Sequence, residues 1–124
     1  MKESQFSFEQ LDVWQNARRF VCEIYRAAEA FPKTEQFGLA SQICRAAVSV
    51  ASNIAEGTSR VSAKDKIRFL EIAYGSLMEA YCQLQLAFDL GYLNEEKFSD
   101  LRHSVTVISK QLSGLRKAYA SRIK

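Results

Sequence analysis

Apolar residues return at alternating steps of three and four in four separate runs of this chain, a spacing that lines one face of an α-helix each time. The first run, Trp14, Ala17, Val21, Ile24, Ala28 and Phe31, stops where Pro32 removes a backbone donor and blocks a further turn. The second, Ala40, Ile43, Ala47, Val50 and Ile54, is predicted to start from Thr34 as N-cap and to end at Gly57. Ile67, Leu70, Tyr74, Leu77, Tyr81, Leu84 and Phe88 make the third, opened by Ser62 and Asp65 in capping-box form and closed by Gly91. Asn94 caps the fourth, with the seam Phe98, Leu101, Val105, Ile108, Leu112, Leu115 and Tyr119. The expected helices are therefore 11–31, 34–57, 62–91 and 94–121.

All four stripes share the period of left-handed bundle packing, and the short connections between them force neighbouring helices to run antiparallel. The predicted fold is all-α: one antiparallel up-down-up-down four-helix bundle over residues 1–124. A single proline and five glycines leave little material for the turns of a many-stranded sheet protein. The second helix is unusual, with Ala40, Ser41, Ala46, Ala47, Ser49, Ala51, Ser52 and Ala55 making it small on nearly every side. Such a helix is either a thin filler of the bundle centre or a surface shared with another subunit.

Residues 1–5 include Glu3 and no apolar stretch follows, and no run approaches the roughly 20 apolar residues that span a bilayer, so a cytoplasmic protein without a membrane contact is expected. Cys22, Cys44 and Cys82 are odd in number and widely spaced inside helical patterns, which predicts small packed residues rather than disulfides or a zinc site.

The formal net charge of +3 is modest, but it is unevenly spread. Residues 1–100 carry eleven Lys plus Arg against fourteen acids, whereas residues 101–124 carry six basic residues and no acid. Antiparallel topology brings the end of the fourth helix to the connection between the second and third. A positive pole is thus predicted from Arg60, Lys64, Lys66, Arg68, Arg116, Lys117, Arg122 and Lys124. Glu29, Glu35, Asp89, Glu95, Glu96 and Asp100 mark the opposite, negative pole. Helix dipoles favour part of this pattern anywhere, yet basic residues at the start of the third helix oppose its dipole, which makes phosphate contact the sharper reading.

Catalytic chemistry is poorly represented. His103 is the only histidine, which removes most nucleophile-plus-base arrangements and any His-rich metal site, and the five glycines stand in no phosphate-loop motif. Asp100 and His103 have the spacing of a di-iron bundle motif, but such a centre needs two copies and additional glutamates. No metal, cofactor or small-molecule substrate is expected. Asn53 and Glu56, polar residues on the alanine-rich helix beside Gly57, are expected in a structural network or a subunit contact.

Several segments resemble a known family: Phe8-x-x-Leu11-x-Val13-Trp14, Phe31-Pro32, Phe37-Gly38-Leu39, Arg45 to Gly57 with its Ser52-Asn53-Ile54-Ala55-Glu56-Gly57 stretch, Phe69-Leu70-x-Ile72-Ala73-x-Gly75-Ser76, and Leu90-Gly91-Tyr92-Leu93. In order and from about residue 8 to 115, they look like the bacterial four-helix bundle family encoded in intervening sequences of 23S rRNA genes. The resemblance implies a homo-oligomeric ring, commonly a pentamer, without enzymatic activity and with a suspected role in binding RNA or DNA. Family members often carry two adjacent basic residues where this chain has Cys44-Arg45. The favoured expectation is an oligomeric bundle whose basic pole contacts the phosphates of structured RNA or DNA. The competing one is a protein-assembly module whose contacts are the small-residue helix and exposed aromatics such as Phe6, Phe8 or Tyr92.

Overall fold

The computed structural model describes residues 6–123, and every helix named here lies within them. The helices are α1 (Asp12–Glu29), α2 (Leu39–Thr58), α3 (Ala63–Asp89) and α4 (Glu95–Ala120), with short 3₁₀ turns at Ser7–Gln10 and Lys33–Glu35 and no strand among the described residues. Their backbones approach within 8 Å only around the perimeter of a square, α1 beside α2 and α4, and α3 beside α2 and α4. Direction follows from side-chain pairs. Ser49 meets Ser76 and Gln42 meets Gln83, Asn16 meets Gln111 and Glu23 meets Ser104, and Glu71 meets Arg116 while Phe88 meets Phe98, so on each of these three seams residue numbers rise on one helix as they fall on its neighbour. The bundle is antiparallel.

The core is built as patterned on α4, where Leu101, Val105, Ile108, Leu112 and Tyr119 are all buried. On α1 the buried line is Val13, Ala17, Phe20, Ile24 and Ala27, continued by Phe31 just past the helix, which leaves the expected Trp14, Val21 and Ala28 at its edge. The third helix departs further. Leu70, Leu77 and Leu84 are buried as expected, but Ala73, Ala80 and Ala87 complete the buried face while Tyr74 and Phe88 are exposed. The reason is size: α2 and α3 share the most extensive of the four seams, and a backbone as close as α2's leaves alanine-sized space opposite it. Phe88 instead stacks on Phe98 of α4, with ring centroids 4.7 Å apart.

Helix ends show where local chemistry was read correctly and where it was not. Ser62 accepts from the Asp65 N–H at 3.1 Å and Asn94 from the Lys97 N–H at 2.7 Å, each satisfying a donor that the first helical turn leaves free. At α3's end Gly91 takes φ +81°, and the N–H groups of Gly91 and Tyr92 bond to the carbonyls of Phe88 and Ala87, a Schellman closure. The start of α2 is a correction: it begins at Leu39, and Thr34 is no N-cap because it lies in the Lys33–Glu35 turn. The Glu35 carboxylate does the capping, accepting from the Leu39 N–H at 3.1 Å and from the Tyr92 hydroxyl at 3.0 Å. That second bond and the carboxylate's charge hold the Tyr92 phenol above its ordinary pKa.

Gly57 is a second correction. The helix runs one residue past the expected end, to Thr58, so Gly57 is a buried helical residue rather than a terminator, and a Cβ there would stand 2.9 Å from Phe69 Cβ and 3.3 Å from the Lys66 carbonyl. Its role is close approach between α2 and α3. The cysteines were also misplaced: Cys22 and Cys82 are exposed because they fall off the buried faces, and Cys44 is half-buried, with burial raising its thiol. Among the aromatics expected to be exposed, only Phe6 is. Phe8 packs edge-on against Trp14 at 4.7 Å, and Tyr92 lies against Phe31 at 5.5 Å.

Candidate nucleic-acid interface

Antiparallel packing delivers the end of α2, the start of α3 and the end of α4 to one pole. Two largely buried aromatic side chains, Phe69 and Tyr119, anchor the cations there. Arg60 and Arg68 lie over the Phe69 ring, their guanidinium carbons 4.6 and 5.3 Å from its centroid. Lys66 Nζ and the Arg122 guanidinium carbon stand 5.3 and 5.0 Å from the Tyr119 centroid. A ring face beneath a cation contributes about 0.5–1 kcal/mol at an exposed site and restricts where the charge can sit.

The eight predicted residues divide by what else they touch. Arg60 is paired with Glu56 at 2.6 Å, and both side chains are about half exposed, so the pair contributes little stability but offsets the cation's charge. Lys66 Nζ donates to the Thr58 carbonyl at 2.8 Å, closing the C-terminal end of α2. Arg116 donates to Glu71 Oε2 through Nε at 3.1 Å and a terminal nitrogen at 2.9 Å, which holds it along the α3–α4 seam, about 12 Å inward from the start of α3. Lys64, Arg68, Lys117 and Arg122 are exposed and enter neither of the two ion pairs among the described residues. Lys124 lies outside the described residues.

The structure thus brings Arg60, Lys66, Arg68 and Arg122 together around two rings, with Lys64 on the first turn of α3 and Lys117 on the last turns of α4. Arg116 is drawn away. Phe69 and Tyr119 escaped sequence reading as cation platforms, although Tyr119 and Arg122 stand three apart, a spacing at which helical side chains meet. The polar residues expected beside Gly57 separate as well. Asn53 is half-buried and donates to Ser49 at its carbonyl, 2.8 Å, and hydroxyl, 3.0 Å, and Ser49 in turn bonds Ser76 at 2.7 Å, a bridge from α2 to α3. Glu56 is exposed and occupied by Arg60.

Among the described residues no three His, Cys, Asp or Glu side chains gather as a metal site, and no helix is long and apolar enough to cross a membrane.

No curated protein matches the chain. Among solved structures, it is similar to a crystal structure of a protein of unknown function from the S23 ribosomal protein family of Bacteroides thetaiotaomicron VPI-5482. The two share 25% identity and a TM-score of 0.79, over 85% of this chain and 98% of the other. Residues 9–114, from the turn before α1 to the penultimate turns of α4, match the 23S rRNA-intervening sequence protein family, to which this chain therefore belongs.

Proposed function

We propose that this protein is a non-enzymatic, self-associating helical bundle of the cytoplasm whose basic pole binds the phosphates of structured RNA or DNA. The observation that carries the reading is the placement of Arg68 and Arg122 on the Phe69 and Tyr119 rings at the pole where Lys64, on the first turn of α3, and Lys117, on the last turns of α4, also lie, with none of the four in an ion pair among the described residues. Cations fixed in this way suit backbone contact. Docked on rings at the pole, they offer charge at fixed positions along a phosphate backbone, and binding is expected to follow charge and shape rather than sequence. The family's name, which joins it to ribosomal RNA, is consistent with such a partner. Copies are proposed to assemble as a ring, for which the family resemblance implies a pentamer.

The test is fluorescence anisotropy with a labelled RNA hairpin and a labelled DNA duplex across a salt series. Lys64 and Arg122 are the residues to reverse, because Lys66 also holds the end of α2 and its loss would disturb the fold. The Lys64→Glu/Arg122→Glu variant is expected to bind at least about tenfold more weakly to every sequence, with a salt slope shallower by about two. Binding equal to that of the parent would sink the reading. Absence of binding by the parent at low salt would favour a protein-assembly module, for which the exposed Phe37 and Val61, 89% and 99% accessible, are the contacts to test.

A further inference from the structure

Along the outer edge of the α3–α4 seam lie two open hollows, of about 240 and 260 Å³. The first holds Tyr74 and Arg116, the second Tyr81, Arg102 and Lys110. Tyr74, Met78 and Tyr81 follow one another at steps of four and three on α3, and Arg102, Thr106, Ser109, Ser113 and Arg116 do the same on α4, so the hollows are stations along one groove. Its walls differ in kind. The α3 wall carries aromatic rings and the α4 wall carries cations, and Glu71, the one acid lining either hollow among the described residues, is already paired with Arg116. Arg102 and Lys110 are exposed and enter neither ion pair among the described residues.

The rings are set for stacking. Tyr81 lies 6.4 Å from Phe98 with the planes 21° apart, and Phe98 in turn lies 4.7 Å from Phe88 at 19°, so the Tyr81 ring is held in a stack of its own. Tyr74 is 40% exposed and shares its hollow with Arg116. A side chain already held in place loses little freedom when a flat ligand settles on it. From Arg102 to Arg116 the groove runs about 21 Å along the helix axis, room for about six nucleotides of one strand at their stacked spacing.

Charge and ring surface together select the occupant. A duplex offers phosphates but hides its base faces in the stack, and an acidic peptide offers carboxylates without a succession of flat rings. A single strand offers both, phosphates for the cations and bases for the tyrosines. The groove also leads to the positive pole, since Lys110 and Lys117 stand seven residues apart on α4, while Glu95, Glu96 and Asp100 at the start of that helix bound its other end.

We propose that the α3–α4 groove holds a single-stranded stretch of RNA or DNA, its bases stacked on Tyr74 and Tyr81 and its phosphates on Arg102 and Lys110. The inference rests on the phosphate-binding reading above and deepens it: the partner carries a single strand that runs on from the structured part held at the pole.

The experiment is fluorescence anisotropy of the full chain with labelled oligo(dT) and oligo(U) of about twelve nucleotides, beside a blunt DNA duplex, with circular dichroism melting as the check on folding. The parent is expected to bind at least one of the single strands, and which of them it prefers tells RNA from DNA. Tyr74→Ala is expected to weaken that binding at least about fivefold while duplex binding and the salt slope stay as they were, and Tyr74→Phe, which keeps the ring, restores it. Arg102→Glu/Lys110→Glu, a change confined to exposed side chains, is expected to weaken it at least about tenfold with a salt slope shallower by about one to one and a half. Single-strand binding unchanged in both variants would overturn the groove, as would an equal loss of duplex binding in Tyr74→Ala. A parent that binds the duplex but neither single strand overturns the groove and leaves the pole standing. A parent that binds none of the three removes the phosphate reading itself, and this proposal with it.

Discussion

Along the α2–α3 seam, Gly57 sits where a single methyl group would press on Phe69, and Ala73, Ala80 and Ala87 line the opposing helix. Between α1 and α4, by contrast, Asn16 donates to Gln111 at 2.9 Å and the Ser104 hydroxyl to Glu23 at 3.1 Å, polar bridges that flank Leu101, Val105, Ile108 and Leu112. The first seam is specified by volume: it tolerates nothing larger. The second is specified by apolar burial, with half-exposed hydrogen bonds that water can replace. Both seams carry polar bridges, Gln42–Gln83 and Ser49–Ser76 in the first, so the difference lies in how closely the backbones approach: small side chains set the α2–α3 distance, larger aliphatic ones the α1–α4 distance.

The comparison breaks most readily at Gly57. Gly57→Val is expected to cost about 3 kcal/mol in urea denaturation, since three carbons, Cβ and two methyl groups, must enter a gap already closed by Phe69 and the Lys66 carbonyl. Parental stability would show that α2 and α3 can separate freely. A smaller loss, about 1–2 kcal/mol, is expected for Gly91→Ala, because φ +81° at the end of α3 is a left-handed conformation that a Cβ penalises. Thermal melting checks it, and a gain in melting temperature would mean that the α3–α4 connection is not fixed by that residue. The least effect belongs to the α1–α4 bridge: a double-mutant cycle of Asn16→Ala and Gln111→Ala should give a coupling of about 0.5–1 kcal/mol. A coupling as large as the Gly57 penalty would erase the distinction between the seams.

How much of this was legible in the sequence follows the same division. The α4 stripe, the Ser62 and Asn94 caps and the order of the helices could be read because apolar periodicity and capping chemistry are local. The rotation of α3 could not. A hydropathy pattern gives Tyr74 and Phe88 as much claim to the interior as Ala73 and Ala87, and only the nearness of α2 decides for the smaller pair. The start of α2 was hidden for a related reason: its cap is a carboxylate four residues upstream that also serves Tyr92, 57 residues away in sequence. At the basic pole, the convergence of charges followed from topology. Which cations are already engaged did not, because Glu56, Glu71 and the Thr58 carbonyl recruit three of them through distances that no spacing rule supplies.

The square arrangement has a kinetic corollary. Ser49 and Ser76 join across 27 positions, while Asn16 and Gln111 join across 95, so closing the α1–α4 seam confines far more chain than closing the α2–α3 seam. Loop entropy favours closures between helices adjacent in the chain, α1–α2, α2–α3 and α3–α4, and leaves the α1–α4 seam to close last. The seam that closes last in the chain is also the least extensive of the four and is edged by bridges that water can replace, so it is the one expected to open first in the finished bundle.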